Sequence, residues 1–127
     1  MNAMTMKLSA LLESGHGTVF ARYRRKDPYA IVLGFDAVQP GLEWTVSREL
    51  LSSALVYGHA GVGDLRVSVR GDLVVLGLST PDGTGTVVFR RDDIDTLIAA
   101  THRVVRPGQE SAELDWSDTA DFPGVAL

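Results

Sequence analysis

Three histidines, an acidic triplet, a glycine series and one basic run are the groups in this 127-residue chain whose types could support chemistry. His16, His59 and His102 are far apart, and none stands at ligand spacing from a second histidine or a carboxylate. A zinc site needs such convergence, so the three read as structural or solvated groups. Asp92, Asp93 and Asp95 could offer oxygens to a cation, but calcium takes about six to eight of them, usually on a glycine-bent loop. Three acids at the start of a helix are more simply partners of the helix dipole. The chain has no cysteine, which excludes disulfides and a thiolate nucleophile. It has no Gly-x-Ser-x-Gly segment and no motif that assembles a Ser, His and Asp trio. The pattern gives no catalytic residue, no metal ligand and no cofactor, and points to a protein that is not an enzyme.

Gly58-x-x-Gly61-x-Gly63 has the density of a phosphate loop. Such loops follow a strand and open a helix. This series follows an apolar helical stripe and precedes a strand, so it reads as a helix C-cap and a loop. Arg70-Gly71-Asp72 spells an adhesion tripeptide, yet Gly-Asp between two apolar runs is a hairpin turn, with glycine first as in type II′. Arg22-Tyr23-Arg24-Arg25-Lys26 is the one basic run. Its first reading is a solvated loop balanced by Asp27. Its second is a docking patch for an acidic protein partner. Its third is a single-strand nucleic-acid site, in which Tyr23 stacks a base and the cations hold phosphates.

Charge distribution places that third reading last. The 12 basic residues all lie at or before Arg106, against 11 acids up to Gln109. Glu110, Glu113, Asp115, Asp118 and Asp121 follow with no cation among them. A near-neutral body with an acidic end does not attract phosphates, so nucleic acid is an unfavoured partner. The end, from about residue 117, is expected to be a frayed acidic tail. The length fits a single domain over 1–127. No run approaches the roughly 18–20 apolar residues of a membrane span. The start, MNAMTMKLSALLESG, is a poor signal peptide, and the expected location is the cytoplasm.

The elements that must position these groups follow from hydrophobic period. Lys7 to Leu12, Thr18 to Tyr23, Tyr29 to Phe35 and Leu42 to Val46 read as strands, with turns at Gly15-His16-Gly17, Arg24 to Pro28 and Gln39-Pro40-Gly41. Ser47 should cap a helix whose stripe is Leu50, Leu51, Ala54 and Leu55, with Glu49 in its first turn. Asp64 to Val69, Leu73 to Leu78 and Thr84 to Phe89 are strands, with a hairpin loop at Pro81-Asp82-Gly83. Asp92 should cap a second helix, with Asp95 as a weak capping-box partner, Ile94, Leu97, Ile98, Thr101 and Val105 on its buried face, and Pro107-Gly108 as its stop. EWTVSRELLSSAL and TVVFRRDDIDTLI share one grammar: strand, polar cap, arginine, acid, apolar helix. Two units of antiparallel strands, each ending in a helix, suggest an α+β fold of two small packed sheets.

Read in order, five short segments resemble the SsgA-like family of actinobacterial sporulation and cell-division proteins. They are Asp27-Pro28-Tyr29-Ala30 with Phe35; Trp44 with Arg48-Glu49-Leu50-Leu51; Gly61-x-Gly63-Asp64-Leu65-Arg66-Val67; Leu78-Ser79-x-Pro81-x-Gly83; and Val105-x-Pro107-Gly108-x-Glu110. Together they cover about residues 22 to 115. Members often carry a Trp-Pro pair where this chain has Ser68-Val69. The resemblance implies a fold similar to the Whirly-type single-strand nucleic-acid-binding proteins, with two antiparallel sheets packed face to face and two main helices. It implies a non-enzymatic protein that forms homo-oligomers, with a trimer expected, and that acts at division septa. Its implied partners are itself, another SsgA-like protein, or a division protein such as the tubulin-like GTPase FtsZ. In this reading Pro28 starts a strand, Trp44 packs between layers, and Gly61 and Gly63 shape a loop.

Overall fold

The computed structural model describes residues 1–80 and 83–113. Its order is β1 (Ala3–Leu12), β2 (Gly15–Arg24), β3 (Asp27–Gly34), β4 (Glu43–Ser47), α1 (Arg48–Tyr57), β5 (His59–Val62), β6 (Leu65–Arg70), β7 (Leu73–Thr80), β8 (Gly83–Arg90) and α2 (Arg91–Val104), then a 3-10 turn at Glu110–Glu113. Period-2 alternation builds the strands. In β1, Leu8, Ala10 and Leu12 are buried, while Lys7, Ser9 and Leu11 face the other way. The same parity puts Val19, Ala21 and Tyr23 of β2, Ile31 and Leu33 of β3, Val74 and Leu76 of β7, and Val87 and Phe89 of β8 on the core side. Both helices cover that face. Leu50, Leu51 and Ala54 of α1, and Ile94, Leu97 and Ile98 of α2, complete one apolar cluster. The other face of the sheet is open.

The strands form one eight-stranded sheet in the order β4-β3-β2-β1-β8-β7-β6-β5. The expectation of two packed sheets is therefore corrected. Each half is a four-strand antiparallel meander followed by a helix, and the halves meet edge to edge. The seam is short: Ala10 opposes Phe89 and Leu11 opposes Val88. Two forces favour this arrangement. Edge strands carry unpaired N–H and C=O groups, and joining β1 to β8 satisfies some of them. Each half already has a helix to cover its apolar face, so no second sheet is needed to bury it.

Several local expectations also shift. Gly15-His16-Gly17 lies in β2, and the turn is Glu13-Ser14. Asp27 and Pro28 open β3, leaving Arg25-Lys26 as the turn. Gly61 sits in the short strand β5 rather than in a loop. Asp92 does not cap α2: the cap position is Arg90, with no side-chain cap bond, and Asp92 and Asp93 occupy the first turn. Trp44 lies on the edge strand β4 and is half-buried, so it does not pack between two sheets. Gly71 has φ +59° and among the described residues no non-glycine residue has positive φ, so the two-residue turn is positive only at its first position, as type II′ requires. Pro81, Asp82 and the acidic tail from about residue 117 lie outside the described residues.

The α1 boundaries are where sequence expectation and geometry agree most closely. Ser47 is extended (φ −61°, ψ 128°), and its side chain accepts from the Leu50 N–H at 3.1 Å. Gly58 ends the helix at φ +89°, where its N–H donates to the Ala54 carbonyl. Ser47→Ala should cost about 1 kcal/mol of stability by loss of the cap. Gly58→Ala should cost about 1–2 kcal/mol, because a Cβ disfavours the left-handed region. Urea unfolding followed by circular dichroism measures both.

Candidate functional site

The basic run is divided by strand parity. Tyr23 is 1% exposed, and its hydroxyl donates to the Pro28 carbonyl at 2.8 Å. Burial pushes its phenol pKa up. No base can stack on a ring in the core, so the nucleic-acid reading loses its aromatic. Arg22 is ion-paired with Glu43. Arg24 stands opposite Asp27. Arg25 donates to Glu113 and to the Met1 carbonyl, each at 2.8 Å. Lys26 is exposed at the turn. The run is thus one buried anchor among cations that face solvent or other parts of the chain.

The residue that gathers the most partners is Arg48, the first residue of α1. Its side chain reaches under the C-terminus of α2 and is 2% exposed as a residue. Nη1 donates to the Val105 carbonyl at 2.7 Å and the Thr101 carbonyl at 3.3 Å. Nη2 donates to Glu110 Oε1 at 2.5 Å. The guanidinium carbon lies 5.1 Å from the Tyr23 ring centroid, within cation–π range. The carbonyls at a helix end are short of donors; the Val105 N–H reaches the Thr101 carbonyl at 3.0 Å, and an arginine from the other helix adds a second donor there and supplies the one at the Val105 carbonyl. The hydrogen bond from Arg48 is the main cause that holds the Glu110 carboxyl below its usual range. His102, half-buried beside them, has its pKa lowered first by burial and then by the Arg48 charge, against an opposing pull from Glu110.

A counterpart occupies the second half. Arg91, the first residue of α2, donates through Nη2 to the Leu55 carbonyl at 3.1 Å, in the last turn of α1. Each helix therefore starts with an arginine that caps the other helix's end. The repeated grammar of the sequence placed an arginine at both positions, but neither contact could be read from it. Glu110 looked like part of the acidic end; the structure makes it the ionic partner of a buried charge.

The remaining family-motif residues have local roles. Pro28 is buried and supplies the carbonyl for Tyr23, while Tyr29 beside it is 48% exposed. A Cβ on Gly61 would come within 2.8 Å of Arg66 Nη1, so glycine leaves room for the arginine on the neighbouring strand. Gly63 takes φ +58° in the turn, and the Asp64 carbonyl accepts from the Ser79 N–H at 2.9 Å. Trp44 joins Leu12, Phe35, Val38, Leu42 and Leu78 around an apolar cavity of about 390 Å³ at the end of the core face. Among the described residues no group of three metal-ligating side chains converges, and no helix is long and apolar enough to cross a membrane.

A helix-backed antiparallel sheet with clamped halves defines a class of small α+β domain, and comparison with known proteins gives its family. Residues 18–110 match the family model described as "Streptomyces sporulation and cell division protein, SsgA". The sporulation-specific cell division protein SsgB of Salinispora tropica is 41% identical over 106 residues, covering 78% of this chain and 73% of that one. SsgB of Saccharopolyspora erythraea is 35% identical over 101 residues, covering 76% and 71%. A solved structure reported as "Mutations in SsgB correlate to longitudinal cell division during sporulation of Streptomyces coelicolor" superposes with a TM-score of 0.76 at 27% identity, covering 89% of this chain and 97% of that one. An SsgA-like sporulation-specific cell division protein from Thermobifida fusca gives a TM-score of 0.72 at 28% identity, covering 94% and 93%. The chain belongs to the SsgA-like family of sporulation and cell-division proteins.

The two clamps should differ in weight. Arg48→Ala leaves Glu110 without its ionic partner and the Val105 carbonyl without its arginine donor, and should cost about 3–5 kcal/mol. Arg91 is 40% exposed at its side chain, and Arg91→Ala should cost under about 1 kcal/mol. Denaturant unfolding of the two variants checks the ranking.

Acid should weaken the same region in two stages. Both groups have folded pKa values below their unfolded ones, 6.5 for His102 and 4.5 for Glu110. The unfolded chain therefore takes up protons first, and stability present above those values is lost as pH falls. The His102 loss begins as pH drops through 6.5, and the Glu110 loss below 4.5. His102→Gln should flatten the first stage and Glu110→Gln the second, as read by thermal unfolding across pH.

Proposed function

We infer that this chain is a non-enzymatic regulator of cell division during sporulation, which self-associates and helps recruit or position the septation machinery, with FtsZ as the recruited protein. The observation that carries this reading is the family match across residues 18–110, together with relatives named sporulation-specific cell division proteins. The geometry is consistent with a docking platform. Its charged contacts hold the chain's own elements together, as Arg48 and Arg91 do, rather than converging on a cleft. The expected setting is the cytoplasm at division septa.

Self-association has supporting features at both ends of the sheet. The outer strands β4 and β5 each have a neighbour on one side only. Val62 of β5 is 71% exposed, and Val56 and Tyr57 at the end of α1 just before it are 74% and 76% exposed. Elsewhere on the molecule the cavity around Trp44 and Leu42 is apolar. An apolar projection and an apolar recess at different sites favour a head-to-tail contact, which closes into a ring when the rotation permits. A trimer is the expected ring.

Purified chain should pellet with FtsZ polymers and alter their light scattering, whereas no association at any salt concentration from low to physiological would overturn the recruitment reading. Sedimentation velocity at micromolar concentration should show a trimer. Val56→Asp with Tyr57→Asp should shift it towards monomer; a wild-type chain that stays monomeric would remove the self-association part.

A further inference from the structure

The open face of the sheet is uneven in charge. Lys7 of β1 is exposed without an ion-pair partner among the described residues, but the β2 cations of the first half are matched, since Arg22 is paired with Glu43 and Arg24 stands opposite Asp27. On the second half the cations are not. Arg66 and Arg70 of β6 and Arg90 of β8 are exposed on the open side, and none has an ion-pair partner among the described residues. Asp64 and Asp72 lie in the adjoining turns and pair with none of them. The acids of the helical side, such as Glu49 and Asp92, belong to the opposite side of the sheet.

Apolar side chains are set among these arginines. Leu73 is 44% exposed and stands opposite both Arg70 and Arg90. Beside it Leu11, Val88 and Val75 form a row across β1, β8 and β7. With strands about 4.8 Å apart and about 3.4 Å per residue, the three arginines lie within roughly 10–17 Å of one another. We propose that this surface, the open face of β6, β7 and β8 with the seam at β1, docks an acidic segment of a partner protein that carries aliphatic side chains between its carboxylates. Guanidinium groups fit carboxylates in a bidentate fork, and the Leu11–Val88–Val75 row offers the apolar contact. A nucleic acid would find phosphate contacts here but no platform, because the open side of these three strands carries no aromatic residue on which a base could stack. The inference deepens the recruitment reading and rests on it for the identity of the partner.

The test uses the full chain and a short fluorescent peptide of repeating Glu-Glu-Leu units, read by anisotropy. The wild type should bind with an affinity that falls as salt rises. Arg70→Glu with Arg90→Glu should weaken binding by at least about tenfold, while Arg22→Glu with Arg24→Glu, on the matched half, should change it by less than about twofold. Unchanged circular dichroism certifies the fold; Arg66→Gln with Leu73→Ser is the second variant if the first fails to fold. Equal binding by reversed and wild-type chains overturns the proposal, as does an oligothymidylate that binds more tightly and displaces the peptide. The FtsZ pelleting assay run with the same proteins separates the two readings. If the wild type and the reversed variant both pellet equally, this face is wrong and recruitment stands. If the wild type does not pellet but the peptide still binds through Arg70 and Arg90, recruitment is wrong and the face stands.

Discussion

Arg48 is the side chain on which the assembly of this fold turns. A buried guanidinium is costly unless its hydrogen bonds and charge are met, and here they are met by three other parts of the chain. It starts α1, ends α2 through the Thr101 and Val105 carbonyls, holds the 3-10 turn through Glu110, and lies against Tyr23 of β2. Tyr23 in turn bonds to the Pro28 carbonyl at the start of β3. One charge thus links both helices and the first half of the sheet. No buried side-chain polar atom is left without a partner among the described residues, so the network is closed, and a closed network fixes one arrangement more firmly than apolar packing alone.

The pairing of β1 with β8 is short, two register pairs against ten between β1 and β2. Backbone bonds at that seam cannot by themselves define how the halves sit. The reciprocal arginines supply what the seam lacks, because each fixes the start of one helix against the end of the other. They are unequal. Arg48 is buried and carries an ion pair, whereas Arg91 is half-exposed and its carboxylate neighbour Asp95 lies 3.9 Å away on its own helix. The first half of the chain is the structural half, since its helix start, its tyrosine and Arg25 of its turn are all committed to internal contacts.

How much of this was legible follows from what each sequence signal encodes. Alternation identifies the face of a strand, so Leu8, Ala10 and Leu12 were readable as core. The same parity through Val19 and Ala21 assigns Tyr23 to the core, and the basic residues on either side obscured it. Alternation does not name a strand's neighbour. The union of β1 and β8 joins residues nearly eighty positions apart, and no local pattern encodes it. The cap at Ser47 was legible because serine has a local partner three residues on. The expected cap at Asp92 failed because the strand runs straight into α2 at Arg90, which has no side-chain cap. Glu110 was hidden for the opposite reason: its partner is 62 residues away, and in sequence it looks like the first acid of a tail.

The clamps also bear on where a partner can be met. Cations that secure the fold are unavailable to a ligand, and in this chain Arg22, Arg25, Arg48 and Arg91 all have internal partners. Two cations of the conspicuous basic run, Arg22 and Arg25, are therefore committed to the fold itself. Arginines on the open side of β6 and β8 are scattered in sequence and converge through strand register. They stand on strands hydrogen-bonded to neighbours and backed by helices, so their backbone positions are set before any partner arrives. A preformed surface loses less conformational entropy on binding than a mobile loop does. A rigid sheet with unpaired cations is thus a better platform for an acidic partner than the charged turn at Arg25 and Lys26.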